Sequence, residues 1–560
     1  MLIPGLRRYV PFYPVLGLLG ACAHAITLVP TCNSSIYCTG ELLHRVQLAR
    51  IFPDSKTFVD LKLQHSENET LIDFAKLMGE TNQNPTREQL VNFINKHFEE
   101  GNELEQWIPP DFDPNPPILQ EITDPKLRSF AKNIIGIWEK LGRKVQDDVK
   151  TYPNQYSFLY VPNGFIVPGG RFKELYYWDS FWMVRGLLIS NMTQTAKGMI
   201  ENLLYLVEQY GYIPNGSRAY YLGRSQPPLL AAMVASYFAT TGDISWLEQH
   251  IGTVEKELQY WLTKKIVTVE VKGSKYMLLR YLAEKKGIGP RPESYFEDYS
   301  NARILPNDKR QDFYMEIKSA AESGWDFSSR WFVTASNEDV GNLTDVHATR
   351  ILPVDLNSIF AGALELAGNF RNTLKDRREA QKWWSLAKYW RNAIDNVMWD
   401  PVDGVWYDYD AQSKSPRKHF YLSCATPLWT GAVEEYNAPK YAARLVKYLL
   451  STGALNFPGG IPASILHSGE QWDFPNAWPP LQSILIGGLE ASGYKEARQL
   501  AREQAGIWIR SNYIGFSTWQ KMFEKYNAVL PGHEGSGGEY IVQEGFGWTN
   551  GVVLELLQSL

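Results

Sequence analysis

The sequence predicts an all-α protein in which helical hairpins close into an (α/α)6 toroid. Helical periodicity dominates the chain from about residue 126 onward, and strand-like runs are few. Similar apolar helices also begin near residues 227, 355 and 479, each rich in small residues and followed by glycine. A stack of helical repeats is the alternative, and it would need a short-period sequence repeat that is missing. We therefore expect these three helices in the inner ring, one on every second hairpin.

The first 25 residues are expected to be an export signal. Arg7 and Arg8 precede an apolar run, and AHA at residues 23–25 has the small-x-small pattern of a cleavage site. Prolines interrupt this run, which is short for a bilayer span, and the final stretch GVVLELLQSL is too short for a span or a GPI signal. We therefore predict a secreted, extracellular protein whose mature chain has no membrane anchor.

Cysteine usage and glycosylation sequons agree with export. Cys32 and Cys38 are near enough in sequence to close a small loop in an oxidising compartment. Cys424 is expected to be a buried apolar residue. Five N-x-S/T sequons are candidate glycosylation sites, of which only some are expected to be used. They are Asn33, Asn68, Asn191, Asn215 and Asn342.

The mature chain divides into an extension and a barrel. Residues 26–125 are charged and rich in loops, with a proline break at 109–118, and we interpret them as an N-terminal helical extension packed on the barrel. Residues 126–560 form the barrel itself. Within it, KIVTVEVKG at 265–273 is the clearest strand and predicts one small β-hairpin.

Two consecutive helices illustrate the expected rings. Asp355 is placed to cap an inner helix whose apolar residues recur at helical spacing as far as Gly368, its expected end. Residues 381–399 repeat the period with tryptophans on one face and charges on the other, which is typical of an outer helix.

Composition excludes several classes of function. The net charge is −5 and the pI about 6.1, so no basic surface favours nucleic acid as a partner. The sequence lacks HExxH, zinc-spaced CxxC pairs, P-loops, GxSxG elbows and dinucleotide loops, so we predict no metal and no cofactor. Its 19 tryptophans and 31 tyrosines suit sugar binding, although large helical cores also use tryptophan. The sequence carries no signal for an oligomeric state.

Eight stretches combine aromatic residues with polar residues, glycine or proline, and several lie just before an apolar helix. This position is the rim of a helical barrel, where loops on a rigid scaffold carry binding residues. One such stretch could be no more than a capped helix start, but eight together predict the wall of a site. They are residues 168–182, 213–228, 289–295, 322–331, 457–462, 471–480, 521–527 and 533–551.

Two carboxyl groups break a glycosidic bond, one protonating the leaving oxygen and the other activating water or attacking carbon. Asp326, between Trp325 and Phe327, is the candidate acid because an apolar setting raises a carboxyl pKa. Sequence spacing leaves its partner open among Glu524, Glu539, Asp179, Glu293 and Asp473. Arginines could grip paired sugar hydroxyls, with phosphate binding or structural ion pairs as alternatives. These are Arg171, Arg224 and Arg291.

The same stretches resemble the inverting trehalases, the α,α-trehalose glucohydrolase family. PGGRFKELYYWDSFW at 168–182 and QWDFPNAWPP at 471–480 are similar to its two signature blocks. GRSQPP, RPES, ESGWDFSSRW, GGEY and QEGFGWTNG match further blocks. The resemblance covers about residues 40–560 and is strongest to secreted animal members, those of insects especially. Phe474 replaces an expected tyrosine, and the glycine run before Glu539 is diluted by other residues.

The resemblance implies hydrolysis of α,α-trehalose to two glucose molecules with inversion. It makes Asp326 the general acid and Glu524 the general base, and it moves Glu539 into a substrate-holding role. The sequon at Asn215 is then expected to be unused, because that residue would hold substrate. The residues that match the family's sugar contacts are Arg171, Trp178, Asp179, Asn215, Arg224, Ser225, Gln226, Arg291, Pro292, Glu293, Gly324 and Glu539.

Two other functions stay open. One is a glycosidase of the same barrel that acts on another α-linked glucoside. The other is a secreted sugar-binding protein that keeps the pocket and has lost catalysis. The presence of both matching carboxyls, at 326 and 524, favours an enzyme over this second alternative.

Overall fold

Six helices stand side by side in a ring, each packed against the next, and the sixth contacts the first. The computed structural model describes residues 29–284, 289–334, 336 and 338–559, so the predicted export signal at 1–25 lies outside the described residues. The ring confirms the predicted toroid. Its members, called the inner helices, are Asp179–Ile189, Leu230–Thr241, Val354–Thr373, Thr426–Trp429, Pro479–Ala491 and Gly547–Gln558.

Six outer helices pack against this ring from outside. They are amphipathic, and the helix predicted at 381–399 buries the apolar face that its periodicity indicates, including Trp383, Leu386 and Trp390. Inner helices are buried on nearly all sides, as in Pro479–Ala491. The outer helices are Pro125–Leu141, Thr193–Tyr210, Ile244–Lys264, Arg377–Val397, Ala438–Thr452 and Lys495–Trp519.

Three details of the predicted rings are wrong. The three similar helices occupy the second, third and fifth inner positions, because an insertion between the second and third lengthens that interval. Asp355 lies inside its helix, which begins at Val354, so it is not the N-cap residue. Its carboxylate binds Arg330 and accepts the Leu356 amide. The helix also continues past Gly368, where a Cβ would lie 2.3 Å from the Trp384 ring. Glycine there permits close packing of two helices and does not end one.

The insertion before the third inner helix carries the predicted β-hairpin. Strands Ile266–Val271 and Ser274–Leu279 pair antiparallel, from Ile266 opposite Leu279 to Val271 opposite Ser274. Helices Tyr295–Ala302 and Arg310–Glu322 complete the insertion, and a further helix, Asp147–Thr151, follows the first outer helix. The other strands are short: Lys62–Leu63, Phe98–Glu99, Leu104–Gln106, Gly142–Val145, Phe165–Ile166, Ile351–Leu352, Trp399–Asp400, Val405–Trp406, Tyr409–Asp410, Ser415–Pro416, Asn476–Ala477 and Tyr526–Asn527.

The N-terminal extension has its own hydrophobic cluster, which also includes Tyr176, Tyr220 and Tyr221 of the barrel. A disulfide joins Cys32 to Cys38, and Cys424 is buried and free, as expected. The extension therefore shares a core with loops at the barrel rim. Its helices are Glu41–Leu48, Ser55–Val59, Glu67–Glu80, Arg87–His97 and Ile118–Glu121.

Four of the five sequons present an exposed asparagine, whereas Asn215 is buried. None of the helices in the described part of the chain combines the length and the apolar character needed to cross a membrane.

Candidate active site

A cavity opens at one end of the ring, where loops lead into the inner helices. Seven of the eight stretches picked out from the sequence contribute to its wall. The eighth, at 457–462, packs elsewhere: a Cβ on Gly460 would meet the Trp508 ring, and Ile461 binds Gln482.

The loop that carries Asp326 is anchored by the residues that follow it. Arg330 binds Asp355 and Asp408 through paired contacts of 2.7–2.9 Å, which makes a buried network of one guanidinium and two carboxylates. Asp473 accepts hydrogen bonds from the Ser328 hydroxyl and the Ser329 amide and hydroxyl at 2.7–3.1 Å. Charge-assisted bonds of this kind hold a loop rigid.

Asp326 itself faces the cavity, and burial raises its pKa to about 7. The Arg291 and Arg224 charges oppose this rise, while the Glu539 charge adds to it. Phe327 packs beneath the Arg291 guanidinium, 4.9 Å from its ring centroid. A pKa near 7 lets this carboxyl carry a proton in neutral solution, as an acid catalyst requires.

Glu524 lies in the same cavity wall and is 2% exposed. Its Oε1 accepts the Tyr540 hydroxyl at 2.8 Å, and its Oε2 lies 3.5 Å from the Gln543 amide. Burial raises the pKa of Glu524, and the neighbouring Lys525 ammonium and the Tyr540 hydrogen bond limit that rise. The ionised form of Glu524 is therefore favoured by an adjacent ammonium and a side-chain hydrogen bond, whereas ionisation of Asp326 is favoured mainly by the charges of Arg291 and Arg224.

A third carboxyl, Asp179, begins the first inner helix and also lines the cavity. Burial raises its pKa to about 8, and the charges of Glu524 and Asp326 add to the rise. Like charges in one site cannot all ionise at neutral pH. Asp179 is thus expected to be protonated there and able to donate a hydrogen bond.

Two arginines are held by acids at the cavity edge. Arg291 binds Asp298 and Glu539, each at 2.7 Å, and Arg224 binds Glu293 at 2.5 Å. Burial alone would raise the pKa of Glu293, but Arg224 and Arg291 outweigh it and hold that pKa below its usual value. These ion pairs keep the guanidinium planes fixed.

Several buried polar atoms in this wall have no protein partner among the described residues. They are Nε of Arg171, Nε of Arg224 and Oε2 of Glu293. Buried polar groups are normally hydrogen-bonded, so unpaired ones grouped at a cavity are typical of a ligand site.

Tryptophans form the apolar side of the cavity. Trp472 and Trp478 stack with ring centroids 3.8 Å apart and planes 2° from parallel, and Trp178 and Trp548 meet them at an angle. Gly324 has φ +77°, and a Cβ there would lie 2.6 Å from the Trp178 ring. Only glycine therefore lets the Asp326 loop approach this wall.

The structure brings Asp326, Glu524 and ten of the twelve matched contact residues to the cavity. Ser225 and Pro292 are the exceptions. The Ser225 hydroxyl donates to the Ile213 carbonyl, and its amide donates to Glu322. Pro292 presents its carbonyl to Gln47 of the extension. Both residues support the wall from behind.

The sequence reasoning missed several lining residues. Most of them lie inside the eight stretches. The sequence therefore indicated these segments, but it did not show which of their residues line the cavity and which lie behind it. Lys56 had no signal, because it comes from the N-terminal extension, where it pairs with Asp60 and Glu174. The missed residues are Lys56, Phe172, Tyr176, Tyr221, Ser294, Ala321, Gln471, Trp472, Trp478, Tyr540, Phe546 and Trp548.

A group of side chains with the spacing of metal ligands lies outside the cavity. In the described part of the chain, Glu338, Asp339 and His419 bring ligand atoms within 4.8 Å of one another, and none of them lines the cavity. The arginine, carboxyl and amide side chains that line the cavity are suited to hydrogen bonding with the hydroxyl groups of a ligand.

The fold and the site define an (α/α)6 toroid with the paired carboxyls that glycoside hydrolases use. The sequence profile of the Trehalase family matches residues 50–560, and the chain belongs to this family. It is 50% identical over 531 residues to the trehalase of Bombyx mori, covering 95% of this chain and 91% of that one. Identity to the trehalase of Homo sapiens is 44% over 531 residues, covering 95% and 90%. The solved neutral trehalase from Saccharomyces cerevisiae aligns with a TM-score of 0.56 and 25% identity over 71% of this chain and 73% of that one.

Proposed function

We propose that the protein hydrolyses α,α-trehalose to two glucose molecules with inversion at the attacked carbon. The single observation that carries this proposal is that Asp326 and Glu524, nearly 200 residues apart, line one aromatic-walled cavity in a member of the Trehalase family. Its relatives named trehalase match over nearly the whole chain, which supports trehalose over other α-glucosides.

Asp326 would act as general acid and Glu524 as general base. Glu524 accepts a proton from water as the water oxygen attacks C1 of one glucose unit. The bond from C1 to the bridging oxygen breaks, and Asp326 gives its proton to that oxygen. Inversion needs room for the water, so the two carboxyl groups should be roughly 6.5–9.5 Å apart in the complex. The first products are one β-glucose and one α-glucose.

The remaining wall would hold the disaccharide. The unpaired nitrogens of Arg171 and Arg224 would bind sugar hydroxyls, and guanidinium groups suit paired oxygen acceptors. A protonated Asp179 would donate to a hydroxyl or ring oxygen. The tryptophan side offers apolar surface to the C–H faces of the sugar. Asn215, Gln226, Arg291, Glu293, Gly324 and Glu539 complete the proposed contacts.

Substrate comparison tests this assignment. Purified protein is incubated with trehalose, maltose and kojibiose at equal concentration, and released glucose is measured. We expect trehalose to be cleaved with at least a hundredfold larger kcat/KM than the other two. Preference for maltose or kojibiose would indicate a glycosidase with another α-glucoside as substrate. Trehalose binding by calorimetry without glucose release would indicate a sugar-binding protein.

We also propose that residues 1–25 are removed on export and that the exposed sequons carry glycans. The N-terminal pattern, the Cys32–Cys38 disulfide and the exposure of these sequons support this proposal. Mass spectrometry of protein secreted from eukaryotic cells should find an N-terminus at residue 26 and an unmodified Asn215. A retained first segment or a glycan on Asn215 would contradict it. The exposed sequons are Asn33, Asn68, Asn191 and Asn342.

A further inference from the structure

The Glu524 carboxylate has unequal partners on its two oxygens. Oε1 accepts the Tyr540 hydroxyl at 2.8 Å, whereas Oε2 has only the Gln543 amide at 3.5 Å, beyond good hydrogen-bond length. The phenol thus fixes one oxygen, and the other keeps most of its capacity to accept a proton. Tyr540 was not among the residues that the sequence assigned to the site.

Tyr540 is itself held in place by the opposite side of the cavity mouth. Its ring meets Phe172 edge-on, with centroids 5.2 Å apart, and lies 4.9 Å from the Arg171 guanidinium carbon. Both of those residues belong to the loop that leads into the first inner helix. The phenol therefore links the Glu524 segment to the loop that contributes Arg171.

The preceding residue reaches a different wall. Glu539 accepts from Arg291 and from the Ser294 hydroxyl, each at 2.7 Å. Two consecutive residues therefore contact two parts of the site. Glu539 binds Arg291, which would bind the sugar, and Tyr540 binds Glu524, the carboxylate that would activate water. Correct placement of this loop would determine both binding and proton transfer.

We propose that Tyr540 is a positioning residue for the general base, keeping the Glu524 carboxylate ionised and oriented; this rests on the proposed function. A donated hydrogen bond stabilises the charged form of a carboxylate, so its loss raises the pKa of Glu524. Two cations facing Glu524, Lys525 and Arg171, act in the same direction as Tyr540. The acids that share the cavity with Glu524 are Asp179, Glu293, Asp326 and Glu539, and their negative charges would oppose its ionisation. Of these, Asp179 is the one whose own pKa is raised by the Glu524 charge.

The test is the pH dependence of kcat/KM for trehalose in Tyr540→Phe, which removes one oxygen atom. The matched control is Tyr441→Phe, because Tyr441 also donates to a carboxylate, Asp395, at 3.2 Å but lies on the outer ring. Circular dichroism at each pH gives the folded fraction, and rates are expressed per folded molecule. Wild-type protein on the same substrate shows separately whether the proposed function holds.

We expect the acidic limb of the Tyr540→Phe profile to move up by about one pH unit, with the basic limb unchanged. On the acidic side of the profile, kcat/KM of Tyr540→Phe should be about tenfold lower than that of wild-type protein, and this difference should disappear as the pH rises. Tyr441→Phe should keep the wild-type profile. An unmoved acidic limb, or an equal loss at every pH, would overturn the proposal and leave Tyr540 a substrate contact or a structural residue. Failure of wild-type protein to cleave trehalose would instead reject the proposed function.

Discussion

Asp326 shows how the setting of one residue determines its chemistry. An ionised carboxylate inside a protein is costly unless it is paired, and Asp326 has no ion pair of its own among the described residues. Burial therefore favours its protonated form, while Glu524 keeps partners that favour the charged form. The different surroundings of the two carboxyls support the proposed roles of Asp326 as acid and Glu524 as base.

The first prediction at this scale is that Asp326→Asn lowers kcat for trehalose by about 10²–10⁴-fold, because an amide cannot donate the acid's proton. The wild-type kcat/KM should decline above about pH 7 as Asp326 ionises, and this decline should vanish in the variant. Steady-state rates between pH 4 and 9 measure both effects. Asp308→Asn, at an exposed acid, is the control. Near wild-type turnover in Asp326→Asn would remove this residue from the chemistry.

The same variant should change stability in a pH-dependent way. The pKa of Asp326 is about 7 when folded and about 3.9 when unfolded, so the native state binds more protons between these values. Its contribution to stability is therefore present below about pH 4 and lost as the pH rises towards 7. The thermal midpoint of Asp326→Asn, measured relative to that of wild-type protein, should therefore be higher at pH 7 than at pH 4. An equal difference at both pH values would contradict the raised pKa.

Residue roles could be predicted from the sequence only in part. The aromatic neighbours of Asp326 were enough to indicate a raised pKa. Asp473, in contrast, has the same kind of local sequence, yet it accepts bonds from Ser328, Ser329 and Ser464 and serves as an anchor. These donors come from separate loops, and their convergence depends on tertiary structure.

At the scale of elements, the N-terminal extension supports the site from behind. The Gln47 amide donates to the carbonyls of Ser55 and Pro292 at 2.8 and 3.2 Å. The short helix Pro292–Ser294 follows Arg291 and carries Glu293. The hydrogen bond from Gln47 to Pro292 therefore helps to position two of the proposed sugar-binding residues. The sequence predicted a helical extension packed on the barrel, but it gave no sign that the extension reaches the cavity.

We predict that Gln47→Met raises KM for trehalose several-fold while kcat falls less than twofold. Methionine keeps the volume of the side chain and removes both hydrogen bonds, so binding should suffer more than chemistry. The matched control is Gln64→Met, because Gln64 donates to the Phe98 carbonyl within the extension and away from the cavity. Equal effects of the two variants, or an unchanged KM, would show that the extension does not position the site.

For the whole molecule, the deciding feature is closure of the ring. The first and sixth inner helices pack together although most of the barrel separates them in sequence. Local periodicity predicted the helices and the fold class, because apolar spacing is a property of each segment. The order of the inner helices could not be predicted, because the insertion at 266–322 lengthens one interval without adding a ring position.

Closure also brings distant carboxyls to one cavity, which is the central claim of the proposed mechanism. The most direct measurement is a proton NMR time course of trehalose hydrolysis, with anomers resolved before mutarotation mixes them. An inverting pair of carboxyls should release α- and β-glucose in equal initial amounts. Initial release of α-glucose alone would mean retention of configuration and would contradict the roles assigned to Asp326 and Glu524.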